Sequence, residues 1–330
     1  TDGAVTFGID QIATVTNTPS MYNGTPQSAS VSCSGGGTAN NIITGGAATQ
    51  TNVGTYAVFA NCPAAPGYNP GTGLNAGSFA IAPAAVTVTA SSPADISYGS
   101  AAPSVTPSYS GFVSPDTAPV TAPTCGTSYT AGNAVGAYAT TCSGAASPNY
   151  TFTYTAGSFN VTAAVVTVTA SSPADISYGS AAPVVTPSYS GFVLPDTAPA
   201  TPPTCGTLYT AGNPVGPYTT TCSGAASPNY TFTYTAGSFN VINATQTAVV
   251  TNSPQVFDGN VKTATVVCSA GGAVSDIKYD GSPTAPSAVG LYDITADCAA
   301  VTNYDAGDDL SAGTFIIIGS TTVTLGDTGW

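Results

Sequence analysis

The chain of 330 residues carries fifteen acids, all Asp, against two cations, Lys262 and Lys278, with neither Arg nor His, for a net charge of −13. Charged residues are 5% of the chain, against about a quarter in an ordinary soluble domain. That leaves no basic face for nucleic acid, no imidazole for a catalytic triad or a zinc site, and no apolar run near the roughly 20 residues that cross a bilayer. Thr, Val, Tyr, Ala, Gly and Pro dominate, a mixture that favours strands and tight turns over helices. The expectation is an all-β chain.

Residues 1–10 read as the closing strand of a preceding or neighbouring repeat, with Val5, Phe7 and Ile9 alternating along it. Domain 1, residues 11–83, opens on Ala13-Thr-Val15 and turns at Tyr22-Asn-Gly24. It starts a new strand at Val53-Gly54-Thr-Tyr56, passes Tyr68-Asn69 and closes on Ala76-Gly-Ser-Phe79. Domain 2, residues 84–163, and domain 3, residues 164–243, repeat that punctuation and match each other at a period of 80, from Val86 and Val166 onward. About nine positions in ten are identical across that match. Their markers are Tyr98-Gly99, Val135-Gly-Ala-Tyr138, Asn149-Tyr150 and Phe159, and Tyr178-Gly179, Val215-Gly-Pro-Tyr218, Asn229-Tyr230 and Phe239. Domain 4, residues 244–319, returns to the pattern of domain 1 with Phe257-Asp-Gly259, Val289-Gly-Leu-Tyr292, Asn303-Tyr304 and Phe315. Residues 320–330 read as the opening strand of a following repeat, with Val323 and Leu325 alternating. The glycines supply the positive φ of tight turns, and aromatics at fixed distance from them are expected to fill one small core per unit. The tyrosines of the Val-Gly-x-Tyr runs, at one place in every unit, read as core or corner residues rather than sugar-stacking ones.

The eight cysteines fall two to a domain: Cys33 and Cys62, Cys125 and Cys142, Cys205 and Cys222, Cys268 and Cys298. No C-x-x-C knuckle or His is present to make a metal site, so one disulfide per domain is expected, each contributing about 3 kcal/mol in the chain-entropy model. Persistent disulfides imply an oxidising compartment, hence a secreted, cell-surface protein.

The run Tyr-Gly-Ser, Ser-Gly-Phe…Asp-Thr, Val-Gly-x-Tyr, Asn-Tyr, Ala-Gly-Ser-Phe in domains 2 and 3 resembles MBG repeat domains of the YGX type. The outer two domains, with Tyr22-Asn-Gly and Phe257-Asp-Gly, resemble the related MBG/YDG-type repeats. The resemblance implies tandem small β domains, Ig-like sandwich or β-grasp-like, of large secreted or surface-attached, adhesin-like bacterial proteins, with no catalytic residues to carry over. A disulfide in every domain and the near absence of charge depart from the family pattern.

The acidic cluster Asp305, Asp308 and Asp309 offers calcium several oxygens, but its spacing matches no known calcium loop, so it reads first as a solvated loop and second as a calcium site. No other cofactor and no enzyme activity is expected. The function expected is a rigid extracellular stalk, or the protomer of a surface filament joined by exchange of strands at Val5, Phe7, Ile9, Val323 and Leu325. The partners are then adjacent repeats or identical subunits end to end. The alternative is a carbohydrate- or receptor-binding module, its partner a host or matrix glycan, with a groove in loops 34–50, 63–75 or 270–288.

Overall fold

The computed structural model describes residues 7–320, so the exchange candidates Val5, Val323 and Leu325 lie outside the described residues. It divides into two compact units, residues 1–164 and 165–330. Among the described residues every regular element is a strand.

In domain 1, Ala13–Val15 pairs antiparallel with Val31–Cys33. This ribbon covers a four-stranded sheet in the order Ser20–Met21, Gly71–Ala82, Gly54–Cys62, Asn40–Thr44. Strand alternation decides what lies between the sheets: Val58, Ala60 and Cys62 point inward and are at most 1% exposed, while Thr55, Ala57 and Phe59 face out. Domain 4 is built the same way, from Ala248–Val250 with Val266–Cys268 over Gln255–Val256, Gly307–Ile318, Gly290–Cys298 and Val274–Tyr279.

Domains 2 and 3 divide their last long strand between the two sheets. In domain 1 the last strand, Gly71–Ala82, is continuous, and Gly77 takes a bulge with φ of 98°. In domain 2 the same Ala-Gly-Ser motif breaks the strand in two. Tyr150–Thr155 joins the small sheet, parallel to Ala84–Ala90, and Gly157–Thr162 joins the large one. A Cβ on Gly157 would stand 2.7 and 2.6 Å from the carbonyl oxygens of Ala90 and Ser91, so the crossing requires glycine. One short motif thus serves as a bulge in one domain type and a change of sheet in the other.

Each Val-Gly-x-Tyr tyrosine is a corner. The hydroxyls of Tyr56, Tyr138, Tyr218 and Tyr292 donate to the carbonyls of Asn52, Ala134, Pro214 and Ala288, four residues back, at 2.8, 2.8, 2.7 and 2.9 Å. That bond ties each strand start to its own loop, as in the tyrosine corner of Ig-type sandwiches.

The cysteines join within domains in two ways. Cys33–Cys62 and Cys268–Cys298 tie the small sheet to the large one across the core, and all four residues are buried. Cys125–Cys142 and Cys205–Cys222 join residues directly opposite each other on neighbouring strands of one sheet. In the latter pairs one partner, Cys125 or Cys205, is half-buried.

The expectation of one small core per unit holds in domain 4 and is corrected in the other three. Domain 2 holds two clusters, Val88, Ala90 and Cys142 on one side and Tyr129, Phe159 and Val161 on the other. The core of domain 1, around Val58, Phe79 and Ile81, continues past residue 83 into Ala84, Val86 and Tyr150. The apolar interior of domain 1 is completed by the first strand of its neighbour.

Candidate functional site: the joints between domains

The markers that recur along the sequence meet at the joint of domains 1 and 2 and at that of domains 3 and 4. At the joint of domains 1 and 2, the Asn149 side-chain oxygen accepts the Val53 amide at 2.9 Å, and its NH₂ donates to Asn52 Oδ1 at 3.1 Å. The next residue, Tyr150, is 6% exposed and meets Tyr22 edge to face at 5.3 Å and Phe112 at 4.8 Å. Such ring pairs contribute about 0.5–1.5 kcal/mol beyond their buried area. Both tyrosine hydroxyls donate to one carboxylate oxygen, Asp116 Oδ2, at 2.9 Å from Tyr150 and 3.1 Å from Tyr22. Burial, with the Asp116 carboxylate beside it, pushes the Tyr150 phenol up to about 12, and burial likewise raises that of Tyr22. Gly24 has φ of 73°, and a Cβ there would stand 2.5 Å from the Ser114 carbonyl oxygen, so the two domains approach closely where only glycine fits.

At the joint of domains 3 and 4, Asn303 Oδ1 accepts the Val215 amide at 3.3 Å, and Tyr304 meets Tyr178 edge to face at 5.5 Å. Ala244 pairs in parallel with Tyr304, as Ala84 does with Tyr150. The Asn243 amide donates to Asp305 Oδ1 at 2.8 Å, and buried Gln246 donates to the Ala299 and Asp305 carbonyls at 2.8 and 3.0 Å.

The near side of domain 1 has the same frame. Ile9–Asp10 pairs in parallel with Tyr68–Asn69, the place that Ala84 holds on domain 2. Asn69 donates to the Gly8 carbonyl at 2.8 Å, and Gln11 bonds the Pro63 carbonyl. Phe7 and Ile9 are 90% and 64% exposed. Phe7, Gly8, Gly67 and Tyr68 line a hollow of about 450 Å³.

The three aspartates considered for calcium do not stand together. Asp305 faces Asn243, while Asp309 bonds the ammonium of Lys278 at 2.6 Å. The carboxylates that converge among the described residues are Asp276, Asp297 and Asp309. Lys278 sits with that group, 2.8 Å from Asp276, and the hydrogen bonds that its ammonium donates to the Asp276 and Asp309 carboxylates hold it well above the ordinary lysine range. In domain 2 the acids have structural partners: Asp95 accepts the Asn160 amide at 2.7 Å, and Asp116 serves the joint. A groove of about 670 Å³ lies on domain 3 along Thr204–Leu208 and Pro217–Ser223, away from the three loops considered for a glycan.

Tyr22 and Asp116 stood out in the sequence only as repeat markers, and Asn52, Gln11 and Gln246 did not stand out at all. A Gln two residues before the opening strand, present in both outer domains, was the available signal.

Residues 86–160 and 166–240 match the MBG domain (YGX type), and residues 12–85 and 247–321 match the MBG domain. No curated protein matches the chain. Among solved structures, the Escherichia coli adhesin FdeC is 15% identical, covering 71% of this chain and 97% of that one, with a TM-score of 0.21. The three N-terminal domains of the bacteriophage RB49 highly immunogenic outer capsid protein Hoc are 8% identical, covering 94% of this chain and all of that one, with a TM-score of 0.24.

Proposed function

The chain belongs to the MBG domain family along nearly all of its length, and from that premise we propose that it is an extracellular, adhesin-like repeat protein whose domains act as stiff spacers. The observation that carries this reading is the joint of domains 1 and 2. A core that continues through the boundary, a doubly bonded Asn149 and a carboxylate shared by Tyr22 and Tyr150 leave no free linker between the two bodies. Stiffness is what a spacer needs, and two nearly identical neighbouring domains suit a device whose output is length. The four disulfides support an oxidising, extracellular setting. Nitrogen-15 relaxation of the whole chain tests the reading. One rotational diffusion tensor is expected to fit the amides of domains 1 and 2 together, and two independent tensors would overturn it.

A second reading is a filament protomer joined by strand exchange, favoured by the pairing of Ile9–Asp10 with the near edge of domain 1 and by the exposure of Phe7 and Ile9. An exposed apolar terminal strand is a template for pairing with another chain. Deleting residues 1–9 is then expected to abolish assembly while the domains stay folded. Polymers unchanged by the deletion refute it.

A further inference from the structure

We infer that Asn23 is a site of self-modification, at which the folded chain converts its own asparagine to aspartate and isoaspartate without an enzyme, and that the isoaspartate form loosens the joint of domains 1 and 2. The conversion stands apart from the spacer reading, and only its consequence for stiffness rests on it.

Asn23 is the one asparagine of the chain that is followed by glycine. Glycine has no Cβ to hinder approach to its amide nitrogen, and its backbone is free to bring that nitrogen toward the preceding side chain. The turn also prepares the group to be attacked. Asn23 Oδ1 accepts the amide of Thr25 at 3.0 Å and the Thr25 hydroxyl at 2.9 Å. Both donors point at the oxygen on which negative charge develops when the side-chain carbonyl is attacked, the arrangement that stabilises a tetrahedral oxyanion. Asn23 is exposed, so water reaches it and ammonia can leave.

The step balances without any oxidant or reductant. The Gly24 nitrogen loses its proton to solvent and bonds to Asn23 Cγ. The oxyanion at Oδ1 then collapses, the Cγ–Nδ2 bond breaks, and Nδ2 takes up a proton and leaves as ammonia. One water opens the resulting succinimide. Attack at Cγ gives aspartate in the ordinary chain. Attack at the main-chain carbonyl gives isoaspartate, in which the chain runs through Cβ and Cγ and is one carbon longer.

Domain 4 carries the same turn in another chemical state. Asp258 stands at the place of Asn23, ahead of Gly259, and its Oδ1 accepts the Asn260 amide at 2.9 Å. A carboxylate has no ammonia to lose, and the Lys262 ammonium, 2.7 Å away, holds this carboxyl below its ordinary range and so keeps it ionised and a poor electrophile. In domain 1 the place of Lys262 is held by Gln27. Aspartate is therefore a residue that this turn accepts, and isoaspartate is the disruptive product. On one side of position 23, Gly24 packs where a Cβ would stand 2.5 Å from the Ser114 carbonyl oxygen; on the other, the Tyr22 hydroxyl donates to Asp116. An extra backbone carbon between Tyr22 and Gly24 moves these two contacts with domain 2 out of step. Either product also gives residues 11–83, which contain no charged side chain, their first charge.

The full chain with intact disulfides is held for weeks at neutral pH and body temperature, beside a reduced chain in urea, and both are mapped by mass spectrometry against synthetic aspartate and isoaspartate peptides. Position 23 is expected to convert in the folded chain, ahead of every other asparagine. Thr25→Val removes one donor and is expected to slow the conversion about threefold to tenfold, the worth of one hydrogen bond, while Thr25→Ser keeps the rate. In the isoaspartate fraction, separated by chromatography, hydrogen exchange of the Val53 amide, which is bonded to Asn149 across the joint, is expected to be several-fold faster than in fresh chain. A folded chain in which position 23 stays intact while the unfolded chain converts means that the turn protects the residue, and overturns the inference. Thr25→Val converting at the wild-type rate overturns the part given to the turn, and unchanged exchange at Val53 in the isoaspartate fraction overturns the loosening. Independent tumbling of domains 1 and 2 in fresh chain would end the spacer reading and leave the conversion at Asn23 untouched.

Discussion

Tyr150 and Tyr304 occupy the same place in their domains, each paired in parallel with the incoming chain, Tyr150 at the start of a six-residue strand and Tyr304 in a single bridge, yet their surroundings differ further. Tyr150 lies inside a core that belongs to two domains and donates to Asp116, to which Tyr22 of the preceding domain also donates. Tyr304 meets the ring of Tyr178, and the core of domain 4 is assembled from its own residues, Ala248 through Ile317. Around the asparagine the difference repeats, because Asn149 is held at both ends of its amide by Val53 and Asn52, whereas domain 3 carries Pro214 where domain 1 has Asn52. The plan of a joint is therefore set by the recurrent motif, and its depth by a few residues outside the motif.

The largest effect is expected from truncating the two tyrosines. Tyr150→Ala removes a buried aromatic from the shared core and should cost about 3 kcal/mol or more, lowering the stability of domains 1 and 2 together. Tyr304→Ala, at a half-buried site, should cost about 1 kcal/mol and affect domain 4 alone. Calorimetry on the intact chain separates the two cases, and equal losses would erase the contrast.

Raising the pH probes the same asymmetry. The phenol of Tyr150 sits at about 12 in the folded chain and at about 10 when unfolded, so the unfolded state releases its proton first. The stability that this neutral phenol contributes is complete below pH 10 and is lost as pH climbs from about 10 toward 12. Tyr150→Phe should flatten that part of the stability curve, measured by urea titration at each pH. A curve with the same slope in the variant would assign the loss to other groups.

Smaller effects follow from the asparagines. Asn149→Ala leaves the Val53 amide without its acceptor and should cost about 1–2 kcal/mol, against about 1 kcal/mol or less for Asn303→Ala, whose bond to Val215 is longer. The smallest effect is a gain. Pro214→Asn restores to the second joint the amide partner that the first one has, and should add about 0.5 kcal/mol while slowing hydrogen exchange at Val215.

The period of 80, the pairing of strands with turns, and the corner tyrosines were all legible in the sequence, because each depends on residues close together within one repeat. The joints were not. Val53 and Asn149 are 96 positions apart, a separation that matches neither the repeat length nor any within-domain contact. Val-Gly recurs in every domain and Asn-Tyr in domains 2, 3 and 4, so they read as features of one domain, whereas Val53 and Asn149, and Val215 and Asn303, meet across a joint. The shared carboxylate was invisible for another reason. Asp116 and Asp196 look alike in the repeats, and nothing in either stretch states that a hydroxyl from an earlier domain is 3.1 Å away from the first. The split cores of domains 2 and 3 depend on where a strand changes sheet, and the Ala-Gly-Ser motif at that point is the same in domain 1, where the strand does not change, and differs only by Thr314 for Ser in domain 4.

The recurrence of the same markers in both YGX domains has a genetic consequence. Each such domain carries the Asn-Tyr pair and the Tyr-Gly and Val-Gly elements within one period of about 80 codons. Unequal recombination that inserts or removes one whole period therefore adds or removes the full set of markers together, so the coding sequence can gain or lose one complete domain in a single step.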